Sequence, residues 1–204
     1  MDWTIDTKTA TQVADEASHS TEAADIRLMR AVAAGDSSAL EQLLERHGPT
    51  VSRLIGRLLA WHEDSQDVFQ EVWVTVWKRA GSWRGDGSLE GWLRRIAVRR
   101  CHNHRRNLMR LERRLQRWVA WRRPPDSTPP SELDSSRPSG PLADALERLP
   151  SGDRRVVVLY YLEELPGDEV ARLLNIRPAT LHVRLHRARQ RLKQLLEVGD
   201  PHES

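Results

Sequence analysis

The sequence predicts an all-α protein of two helical domains joined by a flexible linker rich in proline and serine. Apolar residues recur every three to four positions over most of the 204 residues, which is the period of an amphipathic helix. Residues 124–141 instead hold six prolines among serines and acidic residues, a composition typical of a linker. The predicted parts are a flexible extension (1–24), a helical domain (25–123), the linker (124–141), a four-helix domain with a helix-turn-helix (142–196) and a tail (197–204).

The first domain opens with two helical patterns. The first pattern starts at Asp25, and Asp36 or Ser37 can cap the second helix by accepting hydrogen bonds from the free N–H groups at its start. Apolar residues then recur as far as Leu59. Pro49, preceded by a glycine, marks the place where this second helix is expected to bend or break.

Two further helices follow, separated by a glycine-rich loop. Asp64 is the expected cap of the third helix, which runs from Ser65 to about Ala80. The loop spans residues 81–88. A long fourth helix is expected from about Leu89 to Trp121.

Positive charge is concentrated in the fourth helix. The formal net charge of the chain is only +3, but residues 93–123 hold twelve arginines against one acidic residue, Glu112. Such a block suits a polyanion and gives an affinity that falls with salt. A solvated basic tail is the alternative, against which Trp118 and Trp121 argue.

Two tryptophans flank the loop before the arginine block. Unstacked bases lie on aromatic rings while cations hold the backbone, so Trp83 and Trp92 are candidates for binding single-stranded nucleic acid. Core packing is the alternative interpretation. We favour it for Trp92, which precedes Leu93 and Ile96, whereas both interpretations stay open for Trp83.

The third helix combines an apolar stripe with a polar face. Asp67, Gln70 and Glu71 share that face beside tryptophan, an arrangement that could dock a basic partner helix. The alternative is a core helix with a solvated polar side. A metal-dependent nuclease using Asp64, Asp67 and Glu71 is disfavoured, because these carboxylates stand at the start of one helix without a second acidic cluster.

The C-terminal domain is expected to contain four helices. The first runs from Leu142 to Pro150 and the second from about residue 152 to 163. The other two form a helix-turn-helix, in which residues 168–174 make a short helix. Asn175 then tolerates a left-handed conformation in the turn, and Pro178 suits the first position of the last helix.

The last helix has an apolar side and a basic side. The apolar side carries Leu181, Leu185, Ala188, Leu192 and Leu195. The opposite side carries His182, Val183, His186, Arg187 and Gln190, flanked by Arg184, Arg189 and Arg191. A helix of this kind can enter a DNA major groove while staying anchored to its domain. An ordinary amphipathic hairpin with a solvated basic face is the alternative.

Several function classes lack support in the sequence. The single cysteine, Cys101, excludes an internal disulfide and a cysteine-based zinc site, and we expect it to be buried. His102 and His104 point in different directions on a helix and lack a third ligand, so no metal or cofactor is expected. We find no nucleophile–base pair, phosphate-binding loop, signal sequence or membrane-spanning run, and therefore expect a cytoplasmic protein that is not an enzyme.

Five motifs in a fixed order resemble those of the extracytoplasmic-function (ECF) group of bacterial RNA polymerase sigma factors. They are IRLMRAVAAGDSSALEQLLERH, DSQDVFQEVWVTVWKR, WRGDGSLEGWLRRIAVRR, ALERLPSGDRRVVVL and a helix-turn-helix ending in RLHRARQRL. Together they cover most of residues 25–195. The combination is specific to this group, whereas any single motif is not.

The resemblance implies partners and site residues. The first domain would bind core RNA polymerase, whose β′ and β subunits are the partners. A coiled coil of β′ would contact Asp64, Asp67, Gln70, Glu71 and Trp73 of the first domain. The −10 promoter element would be melted and its single strand captured by Trp83, Arg84, Gly85, Asp86, Ser88, Trp92, Arg95, Arg99 and Arg100, with a flipped base near the loop facing Arg99. The duplex −35 element would be read by Arg177, Pro178, Ala179, Thr180, His182, Val183, Arg184, His186 and Arg187.

Further expectations follow from the same resemblance. Sigma factors are not enzymes, and those of this group are commonly held by an anti-sigma protein. Several positions depart from the usual pattern. Among them Arg99 replaces an asparagine, His182 a long cation and Val183 a hydroxyl, although Val183 can touch a thymine methyl. A stand-alone helix-turn-helix regulator that binds duplex DNA without polymerase is the alternative function.

Overall fold

The computed structural model describes residues 21–119 and 140–198, with side chains described for residues 21–111 and 140–197. Residues 1–20 of the predicted extension, residues 120–139 with most of the predicted linker, and the tail from residue 199 lie outside the described residues. Within the described ranges every regular element is helical and none is a strand. The all-α prediction is therefore confirmed.

Over these ranges, four helices form each domain. The first domain contains α1 (residues 21–33), α2 (Ser37–Leu59), α3 (Ser65–Arg79) and α4 (Leu89–Val119), with a 3-10 turn at Ala80–Ser82 between α3 and α4. The second domain contains α5 (Pro141–Arg148), α6 (Ser151–Val157), α7 (Gly167–Leu174) and α8 (Pro178–Val198), with a π-helical turn at Val158–Leu162 that continues α6.

Two helix starts differ from the sequence prediction. α1 already includes residues 21–24, which the sequence assigned to the flexible extension. Residues 21–24, which include Glu22 and two alanines, show no apolar periodicity. Glutamate and alanine are nevertheless favourable in the first turn of a helix. Pro141 begins α5 rather than ending the linker, because the missing N–H of proline costs nothing at the first helical position.

α2 starts as predicted and continues where a break was expected. The Asp36 carboxylate accepts hydrogen bonds from the backbone N–H groups of Ser38 (2.9 Å) and Ala39 (3.3 Å), so Asp36 is the cap. Pro49 lies inside α2 without ending it. Burial of the apolar stripe on both sides of Pro49 outweighs the lost hydrogen bond; the stripe includes Leu43, Val51, Leu54 and Leu58.

The core of the first domain lies where α2, α3 and α4 pack against one another. α3 contributes one fully buried face, made of Val68, Val72 and Val76. Cys101 of α4 is buried as predicted, and this burial raises the pKa of its thiol to about 12. A thiol with so high a pKa is protonated at neutral pH and inert.

In the second domain α8 packs against α5, α6 and α7. A buried cation completes this unit: Arg154 of α6 donates hydrogen bonds to the carbonyl oxygens of Leu146 (2.6 Å), Glu147 (2.7 Å) and Leu149 (2.9 Å). These carbonyls belong to the end of α5, where helical partners are missing. Burial lowers the pKa of Arg154 to about 10, which still leaves the guanidinium charged at neutral pH.

Candidate nucleic-acid and protein-binding surfaces

The helix-turn-helix forms as the sequence predicts. Asn175 adopts the left-handed conformation, with φ 51° and ψ 51°, and Pro178 is the first residue of α8. The N–H of Ile176 donates to the carbonyl of Ala171 at 3.0 Å, which closes the turn after α7. The predicted apolar stripe anchors α8, since Leu181, Leu185 and Ala188 are buried and Leu192 and Leu195 are partly buried.

The predicted reading face of α8 is open to solvent. Val183 is 56% exposed, so its methyl groups are accessible to a partner. Two predicted residues, Thr180 and Arg184, are half-buried. The other members of the face are exposed: Arg177, Pro178, Ala179, His182, Val183, His186 and Arg187. The structure therefore leaves seven of the nine predicted residues exposed on the turn and on α8, and the other two half-buried.

The polar face of α3 is also exposed. Asp67, Gln70 and Glu71 line a shallow depression of about 540 Å³, together with Val74, Thr75, Lys78 and Arg100. Arg100 Nη1 lies 3.7 Å from Glu71 Oε2, so a residue predicted to contact DNA adjoins a residue predicted to contact protein. The depression offers carboxylates and an amide to a basic partner.

Asp64 has a different role from the predicted one. It makes no side-chain hydrogen bond to the start of α3. Its Oδ2 atom lies 2.9 Å from His62 Nδ1 and 3.1 Å from His104 Nε2, so the carboxylate links the start of α3 to α4. The expected cap is therefore wrong, because two nearby imidazoles offer the carboxylate alternative partners.

Trp73 lies in the core rather than on the docking face. Its side chain is 6% exposed and its ring meets Phe69 edge-on, with 6.2 Å between ring centroids. Around the axis of α3, Trp73 lies about 100° from Val72, at the edge of the buried stripe. Trp77 lies about 140° from Val72, and its side chain is 38% exposed. Sequence reasoning placed the wrong tryptophan on this face and missed Val74, which is 51% exposed. The helical angle alone could have separated the two rings.

The loop before α4 borders a pocket of about 270 Å³. Its walls come from α1 and from the loop: Ile26, Met29, Arg30, Ala33, Ala80, Gly81, Trp83, Arg84 and Gly85. Trp83 is half-buried, and its buried Nε1 has no hydrogen-bond partner among the described residues. An unsatisfied buried donor beside an open pocket can be satisfied by a ligand acceptor.

The remaining −10 candidates divide between the loop and α4. Five of them are exposed: Arg84, Gly85, Asp86, Arg95 and Arg99. Arg99 was expected to face the loop across the pocket, but that wall of the pocket is formed by residues of α1. Ser88 caps α4, because its Oγ accepts a hydrogen bond from the N–H of Gly91 at 3.1 Å. Trp92 is half-buried and packs on the core, as the favoured interpretation had it.

The two histidines of α4 point to different partners. His104 faces Asp64, whereas His102 accepts a hydrogen bond from Arg155 of the second domain, with 2.5 Å between nitrogens. Burial and the positive charges of Arg155 and Arg106 lower the pKa of His102, which is therefore neutral at pH 7. Across the described residues no group of three potential ligands could hold a metal ion, and no helix is long and apolar enough to cross a membrane.

These surfaces belong to a two-domain helical protein. One domain carries a helix that could read a DNA major groove, and the other carries an acidic face beside an arginine-rich helix. Comparison of the sequence with protein-family models leads to the same class of protein. The Sigma-70 region 2 family matches residues 43–111, and the Sigma-70, region 4 family matches residues 139–192.

Individual relatives show which group of this family the chain is most usefully compared with. The ECF RNA polymerase sigma factor SigM of Mycobacterium tuberculosis is 32% identical over 177 residues, which cover 86% of each chain. SigE of Mycolicibacterium smegmatis is 31% identical over 170 residues, covering 80% of this chain and 65% of SigE. The structure of CnrH in complex with the cytosolic domain of CnrY superposes with a TM-score of 0.56 at 25% identity, covering 87% of this chain and 99% of CnrH, a factor from Cupriavidus metallidurans.

The chain belongs to the ECF group of RNA polymerase sigma factors. Its function is to bind core RNA polymerase and direct it to promoters for the initiation of transcription. The stand-alone regulator is not favoured, because the match extends over a region 2 domain that such a regulator does not need.

Proposed function

We propose that the exposed polar face of α3 is the surface that binds core polymerase, through a coiled coil of the β′ subunit. Asp67, Gln70 and Glu71 are exposed on one side of a helix whose opposite side is fully buried. That single observation carries the assignment, because these polar side chains have no structural task in the core. Val74 and Trp77 add exposed apolar area of the kind found at binding hot spots.

The face of α8 from Arg177 to Arg187 is the reader of the duplex −35 element in this proposal. Exposed cations on its flanks suit phosphates, while Val183 and His182 stand where base edges would lie. Arg184 is half-buried. Burial lowers the pKa of Arg155, and the nearby positive charge of Arg184 lowers it further. An anionic partner at this position relieves the repulsion.

The loop at residues 83–88 and the exposed arginines of α4 capture the melted −10 strand. Trp83 offers its ring and an unsatisfied Nε1 donor at the edge of the pocket, and Arg30 and Arg84 supply positive charge there. A base that leaves the duplex stack can enter this pocket. Arg95 and Arg99 then lie along the path of the backbone on α4.

Two further assignments complete the proposal. The protein is not an enzyme, since catalysis belongs to the polymerase, and it works in the cytoplasm, where bacterial polymerase and chromosome are found. An anti-sigma protein is a partner, as the anti-sigma factor NepR is for the sigma factor RpoE of Bartonella quintana in their complex. Such a partner would cover the α3 and α8 surfaces that polymerase and DNA need.

Selection of DNA from a random duplex pool tests this function. The protein together with core polymerase should enrich sequences with two short motifs at a fixed spacing. Arg184→Ala should relax the base preference at one position of the upstream motif and leave the downstream motif unchanged. Enrichment of a single motif by the protein alone, unchanged by polymerase, would instead support the stand-alone regulator.

A further inference from the structure

Arginines from three helices lie close together where α4 of the first domain meets α6 and α8 of the second. Arg155 Nη1 of α6 lies 2.5 Å from His102 Nδ1 of α4. Arg105 is on the same side of α4 as His102, because residues three positions apart in a helix are neighbours. Arg154 precedes Arg155 in α6, and α6 packs against α8, which carries Arg184. We call Arg105, Arg154, Arg155 and Arg184 the arginine cluster.

Two members of the arginine cluster have buried donors without acceptors. Arg154 is 4% exposed, and its Nε and Nη2 atoms donate to carbonyl oxygens at the end of α5. Its Nη1 atom is buried and has no hydrogen-bond partner among the described residues, and the same holds for Nε of the half-buried Arg105. A buried N–H of a charged group is costly without an acceptor, so both atoms favour an acceptor that comes from outside the chain.

Among the described side chains, no carboxylate forms an ion pair with a member of the arginine cluster. Asp153, the acidic neighbour of Arg154 in sequence, pairs with Arg191 of α8 instead. The charge of Glu147 favours the charged form of Arg154, but it acts on this one member only. The cluster therefore keeps a large excess of positive charge.

The guanidinium groups of the cluster repel one another. Burial and then the charge of Arg105 lower the pKa of Arg154 to about 10. Burial also lowers the pKa of Arg155, and the charges of Arg184 and Arg105 lower it further. Arginine nevertheless stays charged at neutral pH. An anion bound among these groups replaces their repulsion by attraction.

A phosphate group suits the arginine cluster better than other common anions. It carries nearly two negative charges at neutral pH and has several acceptor oxygens pointing in different directions. Guanidinium groups that arrive from three helices can therefore each donate to a different oxygen, and their planar fork matches phosphate geometry. A carboxylate offers one charge and two oxygens in a single plane.

We propose that the arginine cluster is a binding site for a phosphate group, formed where α4 meets α6 and α8. Arg105 and Arg155 supply donors from the two domains, while Arg154 adds its buried Nη1 and Arg184 its charge. The phosphate group belongs either to a small phosphorylated anion or to a nucleic-acid backbone, since both share this chemistry. Arg105 and Arg155 are outside the proposed promoter-binding surfaces, so the site stands apart from the proposed function.

Titration of the full chain with sodium pyrophosphate at constant ionic strength, followed by calorimetry, tests the site. Arg105→Gln and Arg155→Gln each remove one guanidinium group from the cluster. Arg172→Gln and Arg189→Gln remove the same charge from exposed positions on α7 and α8 and are the matched controls. Arg154 is left unaltered because it supports α5, and circular dichroism establishes that each variant is folded.

The expected result is one pyrophosphate bound per chain. Each cluster variant should bind it about tenfold or more weakly than the unaltered protein, because a charge-assisted hydrogen bond is lost, whereas both controls should bind it normally. Arg105→Lys should show an intermediate affinity, because lysine keeps the charge without the planar fork.

A short DNA duplex of unrelated sequence separates the two sources of phosphate. A duplex that displaces pyrophosphate assigns the site to a nucleic-acid backbone, and a duplex that leaves pyrophosphate bound assigns it to a small phosphorylated anion.

Three results would overturn the proposal. Pyrophosphate that binds no form of the protein shows that the site does not exist, and equal binding by the unaltered protein and both cluster variants places the anion elsewhere. A loss of affinity as large in Arg172→Gln and Arg189→Gln as in the cluster variants shows a response to total charge rather than to a site.

Discussion

Glu71 of α3 and Arg100 of α4 face each other, with 3.7 Å between Oε2 and Nη1. The first belongs to the proposed polymerase surface and the second to the proposed single-strand surface. Both side chains are substantially exposed, so this ion pair is weak by itself and open to competition from a partner. Polymerase binding at Glu71 would therefore free Arg100 for the DNA backbone, which joins the two steps of initiation in one pair of residues.

Asp67→Arg should abolish polymerase binding and leave the fold intact. Asp67 is exposed on the docking face, so reversal of its charge repels a basic partner without disturbing the core. Binding to immobilised core polymerase measures the effect, and Glu45→Arg, an exposed reversal on α2, is the control. An Asp67 variant that binds as well as the control would move the docking face elsewhere.

Arg184→Ala should weaken binding to the upstream element by about 1–3 kcal/mol if Arg184 contacts a base. The loss should be confined to promoters that carry the preferred base at one position. Arg189→Ala, an exposed flank of the same helix, should weaken binding to all sequences by a smaller and equal amount, as a phosphate contact does. Competition binding of holoenzyme with a set of single-base promoter variants separates the two patterns.

Trp83→Ala should slow promoter opening more than it weakens initial duplex binding. Trp83 borders the pocket with a buried donor that lacks a partner among the described residues, and an unstacked base of a melted strand would use this pocket. Opening rates from a base-analogue fluorophore, compared with duplex affinity, test this difference. Trp92→Ala should instead reduce thermal stability, because its ring packs on the core. If Trp83→Ala changes both steps equally, the ring is a core residue.

Arg154→Ala should destabilise the second domain by about 3 kcal/mol. The substitution deletes three hydrogen bonds from a buried cation and leaves the carbonyls at the end of α5 without those donors. Urea denaturation followed by circular dichroism measures the loss, with Arg148→Ala on the exposed side of α5 as control. Equal midpoints for the two variants would deny Arg154 its capping role.

The contact between domains should loosen as the pH falls. His102 has an ordinary pKa of 6.5, and burial with the charges of Arg155 and Arg106 lowers this pKa where the two domains are in contact. Well above pH 6.5 the imidazole is neutral whether or not the domains are in contact, and the contact is unaffected. As the pH falls through 6.5, His102 takes up a proton more readily when the domains are apart, so the contact is progressively disfavoured. His102→Gln should remove this pH dependence from the distance between spin labels on exposed positions of the two domains, Glu41→Cys and Gln194→Cys; a dependence that survives the substitution belongs to another group.

Much of the second domain could be predicted from sequence, because its signals are local. The stripe from Leu181 to Leu195, the left-handed Asn175 and Pro178 at a helix start each depend on residues within a few positions. In the first domain, Asp36 was one of two expected caps of α2 for the same reason. The exposed side of α8 followed from its buried stripe, although Thr180 and Arg184 are half-buried.

The features that sequence reasoning missed depend on distant residues. Asp64 pairs with imidazoles instead of capping α3, and one of these, His104, comes from another helix. The ion pair between Arg57 of α2 and Glu163 joins positions more than a hundred residues apart in sequence. Neither composition nor periodicity carries information about such contacts.

Promoter direction by this protein can be measured by transcription with purified core polymerase on a library of genomic fragments, with and without the protein. We expect start sites that appear only with the protein and share two upstream motifs at a fixed spacing. These start sites should be lost with Asp67→Arg. An unchanged set of start sites, from a protein shown to be folded and to bind polymerase, would contradict it.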